Sequence, residues 1–163
     1  RTKNPNAEVV RDRYALRWMD VPYAPGELKA VAYQNGRKFA TAIMRTAGEP
    51  AMLRLNPDRK SLNADGDDLS YVLVEAVDKE DNLCPLAMND VKFSLHGPAT
   101  IAGVGNGDHH FPAEFATDHV TLFYGRAMLI VRASEGNGGS IRVTATSKGL
   151  GQAQTSLRSR EAR

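Results

Sequence analysis

Val91-Lys92-Phe93-Ser94-Leu95-His96 alternates apolar and polar residues without a fault, and Ile141-Arg142-Val143-Thr144-Ala145-Thr146 does the same. Successive side chains of a strand point to opposite faces, so each run has one wet and one buried face, as antiparallel sheets do. Leu69 to Val77 and Ala127 to Ala133 are more evenly apolar. They predict central strands, covered at least in part on both faces. Tyr14 to Met19, Leu28 to Tyr33 and Phe39 to Thr46 supply further strand candidates.

Turn signals separate these runs at short intervals. Asn35-Gly36 lies between two strand candidates and predicts a tight hairpin, because both residues tolerate positive φ. Asp65-Gly66, Asp81-Asn82, Gly97-Pro98 and Asn137-Gly138-Gly139 punctuate the rest. No helix-length apolar period with caps is present. Many short strands joined by such turns predict an all-β sandwich or barrel. A cluster of small residues and proline, Ala47-Gly48-Glu49-Pro50, reads as a boundary. The segment 49–163 has the size of one immunoglobulin-like sandwich of about seven strands. The segment 1–48 is too short to close a sandwich, and reads as the closing strands of a second, truncated one.

The bulk composition excludes several classes. The apolar share is 42%, enough for a real core. The 21 basic and 19 acidic residues leave a net charge of +2, too balanced for a nucleic-acid partner. Arg158, Arg160 and Arg163 are interrupted by Glu161 and read as a solvated end. No apolar run approaches the length of a membrane span, and the start of the chain lacks signal-peptide character. Cys84 is the single cysteine, so an internal disulfide and a cysteine-rich zinc site are excluded. Beside Pro85 it reads as a small packed side chain rather than a nucleophile.

The stretch Trp18-Met19-Asp20-Val21-Pro22-Tyr23-Ala24-Pro25-Gly26-Glu27-Leu28-Lys29-Ala30-Val31-Ala32-Tyr33 resembles the signature of an immunoglobulin-like domain in bacterial β-galactosidases of glycoside hydrolase family 2. Asn35-Gly36 and Thr46-Ala47-Gly48 match the hairpin and linker that follow it there. The next domain of those enzymes, a C-terminal bacterial immunoglobulin-like module, is similar to several later stretches. Among them are Ala64-Asp65-Gly66-Asp67-Asp68-Leu69-Ser70-Tyr71-Val72, Gly103-Val104-Gly105-Asn106-Gly107-Asp108 and Ser147-Lys148-Gly149-Leu150. The resemblance implies an accessory, scaffolding region of an enzyme that hydrolyses terminal β-galactosides with retention. Its partners would be the catalytic (β/α)₈ barrel and the other domains of the same chain, in a periplasmic or extracellular setting. The family's two catalytic glutamates belong to that barrel, so no catalytic residue carries over, and no cofactor is expected. A carbohydrate-binding module and an adhesion module of the same fold are the alternatives.

Three constellations bear on binding. Asp65, Asp67 and Asp68 surround Gly66 in the manner of a calcium loop, but position 12 counted from Asp65 is Ala76 where an EF-hand needs Glu. A turn before a strand is the plainer reading. The loop Gly103 to Glu114 holds Asn106, Asp108, His109, His110 and Phe111, residue types that contact sugars through hydrogen bonds and an apolar face. The plainer reading is a surface loop at the end of the sandwich, or one packed on a neighbouring domain. As a metal site it is poor, because adjacent residues of an extended chain point to opposite faces and His109 and His110 would chelate badly together, so no metal is expected. Trp18 and Tyr23 are expected to pack in a core or between domains rather than to form a sugar platform. No G-x-S-x-G elbow occurs. The truncated first domain predicts an exposed strand edge through which copies of the chain could associate.

Overall fold

A computed structural model of the chain describes residues 21–110, 115–136 and 138–161. The strand candidate Tyr14 to Met19, with Trp18, lies outside them. Among the described residues there are eleven strands: β1 (Glu27–Gln34), β2 (Arg37–Arg45), β3 (Met52–Pro57), β4 (Ser61–Asn63), β5 (Leu69–Val77), β6 (Asp90–His96), β7 (Ala99–Gly105), β8 (His119–Thr121), β9 (Arg126–Ala133), β10 (Gly139–Ser147) and β11 (Gly151–Arg160). The chain separates into two compact units, residues 1–45 and 46–163.

In the first unit β1 and β2 pair antiparallel, from Glu27↔Arg45 to Gln34↔Arg37. Asn35 and Gly36 both take positive φ, 51° and 74°, as a two-residue hairpin turn of the twist-matched kind requires. The described ribbon keeps large apolar side chains in solvent: Leu28, Tyr33, Phe39 and Met44 are all exposed. Tyr23, expected to pack in a core or between domains, is 80% exposed, so it is not a core residue of this chain.

The second unit is a sandwich of two sheets, in strand orders β3-β5-β9-β7 and β4-β11-β10-β6-β8. The first sheet follows the A-B-E-D order of immunoglobulin domains, and β6, β10 and β11 take the places of C, F and G. The evenly apolar runs β5 and β9 are the two central strands of their sheet, flanked by β3 and β7. The cleanly alternating runs β6 and β10 are neighbours in the other, with Val143↔Leu95 and Ala145↔Phe93 in register. Val72, Val74, Leu129 and Val131 from one sheet and Val91, Phe93, Ile141 and Val143 from the other are buried together in the core.

Nine strands stand where about seven are expected. The additions β4 and β8 span three residues each and lie at the two edges of the five-stranded sheet. Strands that short leave no readable alternation. β4 pairs parallel to β11, the exception among otherwise antiparallel ladders. Arg158 and Arg160 are solvated, as expected, but belong to a strand: they are outward-facing residues of β11, alternating with buried Leu157 and Ser159.

The start of the second unit is clamped by Asp78, itself buried. Its Oδ2 accepts the Gly48 N–H at 2.8 Å, and its Oδ1 accepts those of Glu80 and Asn82 at 3.0 and 2.8 Å. The Asn82 side-chain amide donates to both oxygens. The Gly48 N–H, with the Asn82 and Glu80 donors and against the cost of desolvation, holds the Asp78 carboxyl below its ordinary 3.8. A lowered folded-state value means that the ionised carboxylate stabilises the fold fully above the ordinary value, and that this contribution is lost as pH falls through the lower one. Asp78→Asn is therefore expected to lower Tm by about 5 °C at neutral pH, with the gap to wild type closing as the buffer drops below the ordinary carboxylate range. Calorimetry across that range checks it, and a gap that does not change with pH would refute the electrostatic account.

Candidate functional site

The loop after β7 sits at one end of the sandwich, where this architecture presents its loops. Asn106 organises it. The side-chain amide donates to the Thr121 carbonyl at 3.0 Å, tying the loop to β8, and Asn106 Oδ1 accepts the Asp108 N–H at 3.0 Å. Gly107 between them takes φ 80°, a conformation open to glycine. Asp108 Oδ1 in turn accepts the His110 N–H at 3.0 Å. The chain therefore bends at 106–110 instead of running extended. The premise that adjacent histidines diverge fails here: the His109 and His110 rings lie with centroids 3.8 Å apart, tilted by 45°. Asp108 is half-buried and both histidines are exposed. His110 Nδ1 is 3.7 Å from Asp108 Oδ1. Among the described residues these three form a group whose ligating atoms all lie within 4.8 Å of one another. Phe111 lies outside the described residues.

Phe115 follows, 75% exposed, with its carbonyl accepting the Val104 N–H at 2.9 Å and its ring against Gly105. Phe123 and Tyr124 meet edge to face at 4.5 Å in the turn before β9. Neither is in ring contact with Phe115 among the described residues, so these three rings do not assemble into one platform. Sequence reasoning missed a neighbouring polar cluster. His119 Nδ1 lies 2.8 Å from Thr117 Oγ1 and 3.1 Å from Asp118 Oδ1, and Lys92 reaches Asp118 at 3.6 Å. His119, then Lys92, hold the Asp118 carboxyl below its usual range. The local Thr-x-His spacing was a weak signal; Lys92 arrives from β6, which no local pattern reports.

Several other acidic groups are committed to structure. Asp65 Oδ1 accepts the N–H groups of Asp67 and Asp68 at 3.0 and 2.8 Å, which keeps the carboxyl below its usual range and forms a turn before β5. Asp68 accepts the Asn63 N–H and pairs with Arg59 at 2.8 Å. The buried carboxylate Glu75, on the outer side of its sheet, accepts Arg54 Nε and Nη2 and Asn56 Nδ2 on Oε2, and Arg126 Nε on Oε1. Glu75 and Asp78 are the buried acids of the described residues, and both have each oxygen occupied. A retaining glycosidase needs two carboxyls about 5–5.5 Å apart and free to act on substrate. Neither buried acid is free for that role. Cys84 is 3% exposed, and burial, with Asp78 and Glu49 nearby, pushes its thiol up, away from nucleophilic use.

Comparison with known proteins agrees with this division between scaffold and chemistry. Residues 53–156 match the glycoside hydrolase family 2 C-terminal domain 5, and residues 2–40 match a domain of unknown function (DUF4982). The chain is 39% identical over 150 residues to the β-galactosidase BoGH2A of Bacteroides ovatus, covering 92% of this chain and 17% of that protein. It is 34% identical over 92 residues to a β-glucuronidase of Formosa agariphila, covering 55% of this chain and 9% of that one. Among solved structures, a glycosyl hydrolase family 2 member from Bacteroides cellulosilyticus superposes with a TM-score of 0.79 at 40% identity, over 86% of this chain and 18% of that one. The chain thus spans less than a fifth of the length of these relatives. With the domain match running from strand β3 into β11, the chain belongs to glycoside hydrolase family 2, as part of its C-terminal region.

Proposed function

We propose that the chain is the non-catalytic tail of a longer enzyme that cleaves terminal β-galactosides with retention of configuration. The observation that carries the reading is the match over residues 53–156 to a C-terminal domain of relatives more than five times its length. The commitment of Glu75 and Asp78 to structural hydrogen bonds supports it. The β1–β2 ribbon supports it too. A two-stranded hairpin is marginal alone, and its exposed Leu28, Phe39 and Met44 suit further strands of a sandwich supplied by the longer chain. In this role the sandwich packs beside the catalytic barrel and holds its loops in fixed positions. The loop of Asn106, Asp108, His109, His110 and Phe111 offers amide, carboxylate and imidazole groups to sugar hydroxyls.

The test is a paired assay of the full-length protein and of the 163-residue chain on nitrophenyl β-galactoside and β-glucuronide. Turnover of the galactoside by the full-length protein, with none by the 163-residue chain, is expected. Turnover by the short chain would overturn the non-catalytic assignment, and preference for the glucuronide would move the substrate class. Affinity electrophoresis of the short chain in galactan gels reads the loop: retardation relieved by His109→Ala supports sugar contact, and unretarded migration refutes it.

A further inference from the structure

We propose that Asp108, His109 and His110 form a binding site for a late first-row divalent transition ion, of which zinc is the representative. The site rests on the geometry of the loop and does not depend on the reading of the enzyme. Two imidazole nitrogens and one carboxylate oxygen are the donor set that zinc, nickel and copper select, whereas calcium and magnesium prefer oxygen alone.

The loop brings those donors together before any ion arrives. Gly107 turns the chain at φ 80°, and the Asn106 clamp to Thr121 fixes that turn on β8. The Asp108 carboxylate is oriented by the His110 N–H, which occupies Oδ1 at 3.0 Å. Both imidazoles then project from one side, 3.8 Å apart at their centroids. The three ligating atoms lie within 4.8 Å of one another. Donors on a tetrahedral zinc with bonds of about 2.1 Å are about 3.4 Å apart, so side-chain rotation closes the site without a change of backbone. The exposure of both rings permits that rotation. Three protein ligands leave a fourth position, which water or a hydroxyl of a bound molecule can fill.

Several other places were weaker. Asp65 and Asp68 already accept backbone N–H groups, one of them from Asp67, and the cluster carries no imidazole. Thr117, Asp118 and His119 hold one imidazole and one carboxylate, the latter drawn to Lys92. Among the described residues the Asp108 group alone joins two imidazoles to a carboxylate.

The experiment is isothermal titration of the tag-free 163-residue chain with zinc chloride and, separately, calcium chloride, on wild type, His109→Ala, His110→Ala and His119→Ala. One zinc per chain with micromolar affinity is expected, weakened about tenfold or more by each of the first two substitutions and unchanged by the third. Zinc-induced shifts of the His109 and His110 imidazole signals, read by NMR on the same wild-type sample, give a readout that needs no variant. Millimolar or absent binding overturns the proposal. So does zinc affinity insensitive to His109→Ala and His110→Ala, loss of binding in His119→Ala, or calcium binding at the same strength. Because both rings are exposed, the metal-free variants are expected to melt with wild type, which separates a lost ligand from a lost fold.

Discussion

Phe93→Ala is expected to destabilise the sandwich by about 3–5 kcal/mol, among the largest losses a single truncation causes. Phe93 is 2% exposed and heads the fully buried large side chains. It lies in β6 opposite Ala145 of β10, whose small side chain leaves room for the ring to turn into the core. Its own N–H is spent on the Asp118 carbonyl at 2.7 Å, so the backbone cannot slide to fill a void. The cost therefore combines lost transfer energy with an unrelaxed cavity. Urea titration measures it as a lower midpoint at unchanged slope. Phe115→Ala is the control. Its ring is 75% exposed, and a shift within about 0.5 kcal/mol is expected. Equal losses in the two variants would show that the ring at position 93 is not the centre of the core.

Gly97→Ala is expected to cost about 3 kcal/mol or more, for a different reason. Gly97 turns the chain from β6 in one sheet to β7 in the other, with φ 115°, where L side chains rarely go. A Cβ there would stand 2.2 Å from the Ser140 carbonyl oxygen and 3.0 Å from Ile141 Cα. Those are backbone atoms of β10, the direct neighbour of β6, so relief requires the two strands to part. Gly149→Ala separates the two contributions. That residue also takes positive φ, 84°, but a Cβ there meets nothing within 4 Å. About 1 kcal/mol is expected for it, the conformational part alone. Comparable losses at both positions would mean that the close approach at Gly97 is absorbed without separating the strands.

The legible part of this fold follows from burial. β5 and β9 show as apolar runs because Leu73, Met128 and Ile130 keep their outer faces half-buried; β6 and β10 show as alternation because their outer faces carry Lys92, Ser94, Arg142 and Thr146. The strands that escaped reading lack those marks. β7 runs Ala99-Thr100-Ile101-Ala102-Gly103-Val104-Gly105, too small and glycine-rich for a period, and its register shifts between Ile101 and Gly103. β11 buries Ser159 where a hydrophobe is expected. That hydroxyl accepts the Gly139 N–H at 3.1 Å, a partner supplied across the sheet.

The same division runs through the candidate site. Asn106, Asp108, His109 and His110 are visible in the sequence as residue types suited to binding. Their convergence was not, because it depends on the φ of Gly107 and on the Thr121 carbonyl, fifteen residues beyond Asn106. Glu75 and Asp78 look like any acidic residues until Arg54, Arg126 and Gly48 are brought to them from other segments. The sequence by itself determined the β class, the hairpin at Asn35-Gly36, the alternating faces and the family resemblance, since all of these are properties of short range or of composition. Only the tertiary structure decided which carboxylates are occupied, that the two histidine rings lie side by side, and that Arg158 and Arg160 belong to a strand. Those outcomes depend on atoms distant in sequence, and a side chain's chemistry is set by what the fold places against it.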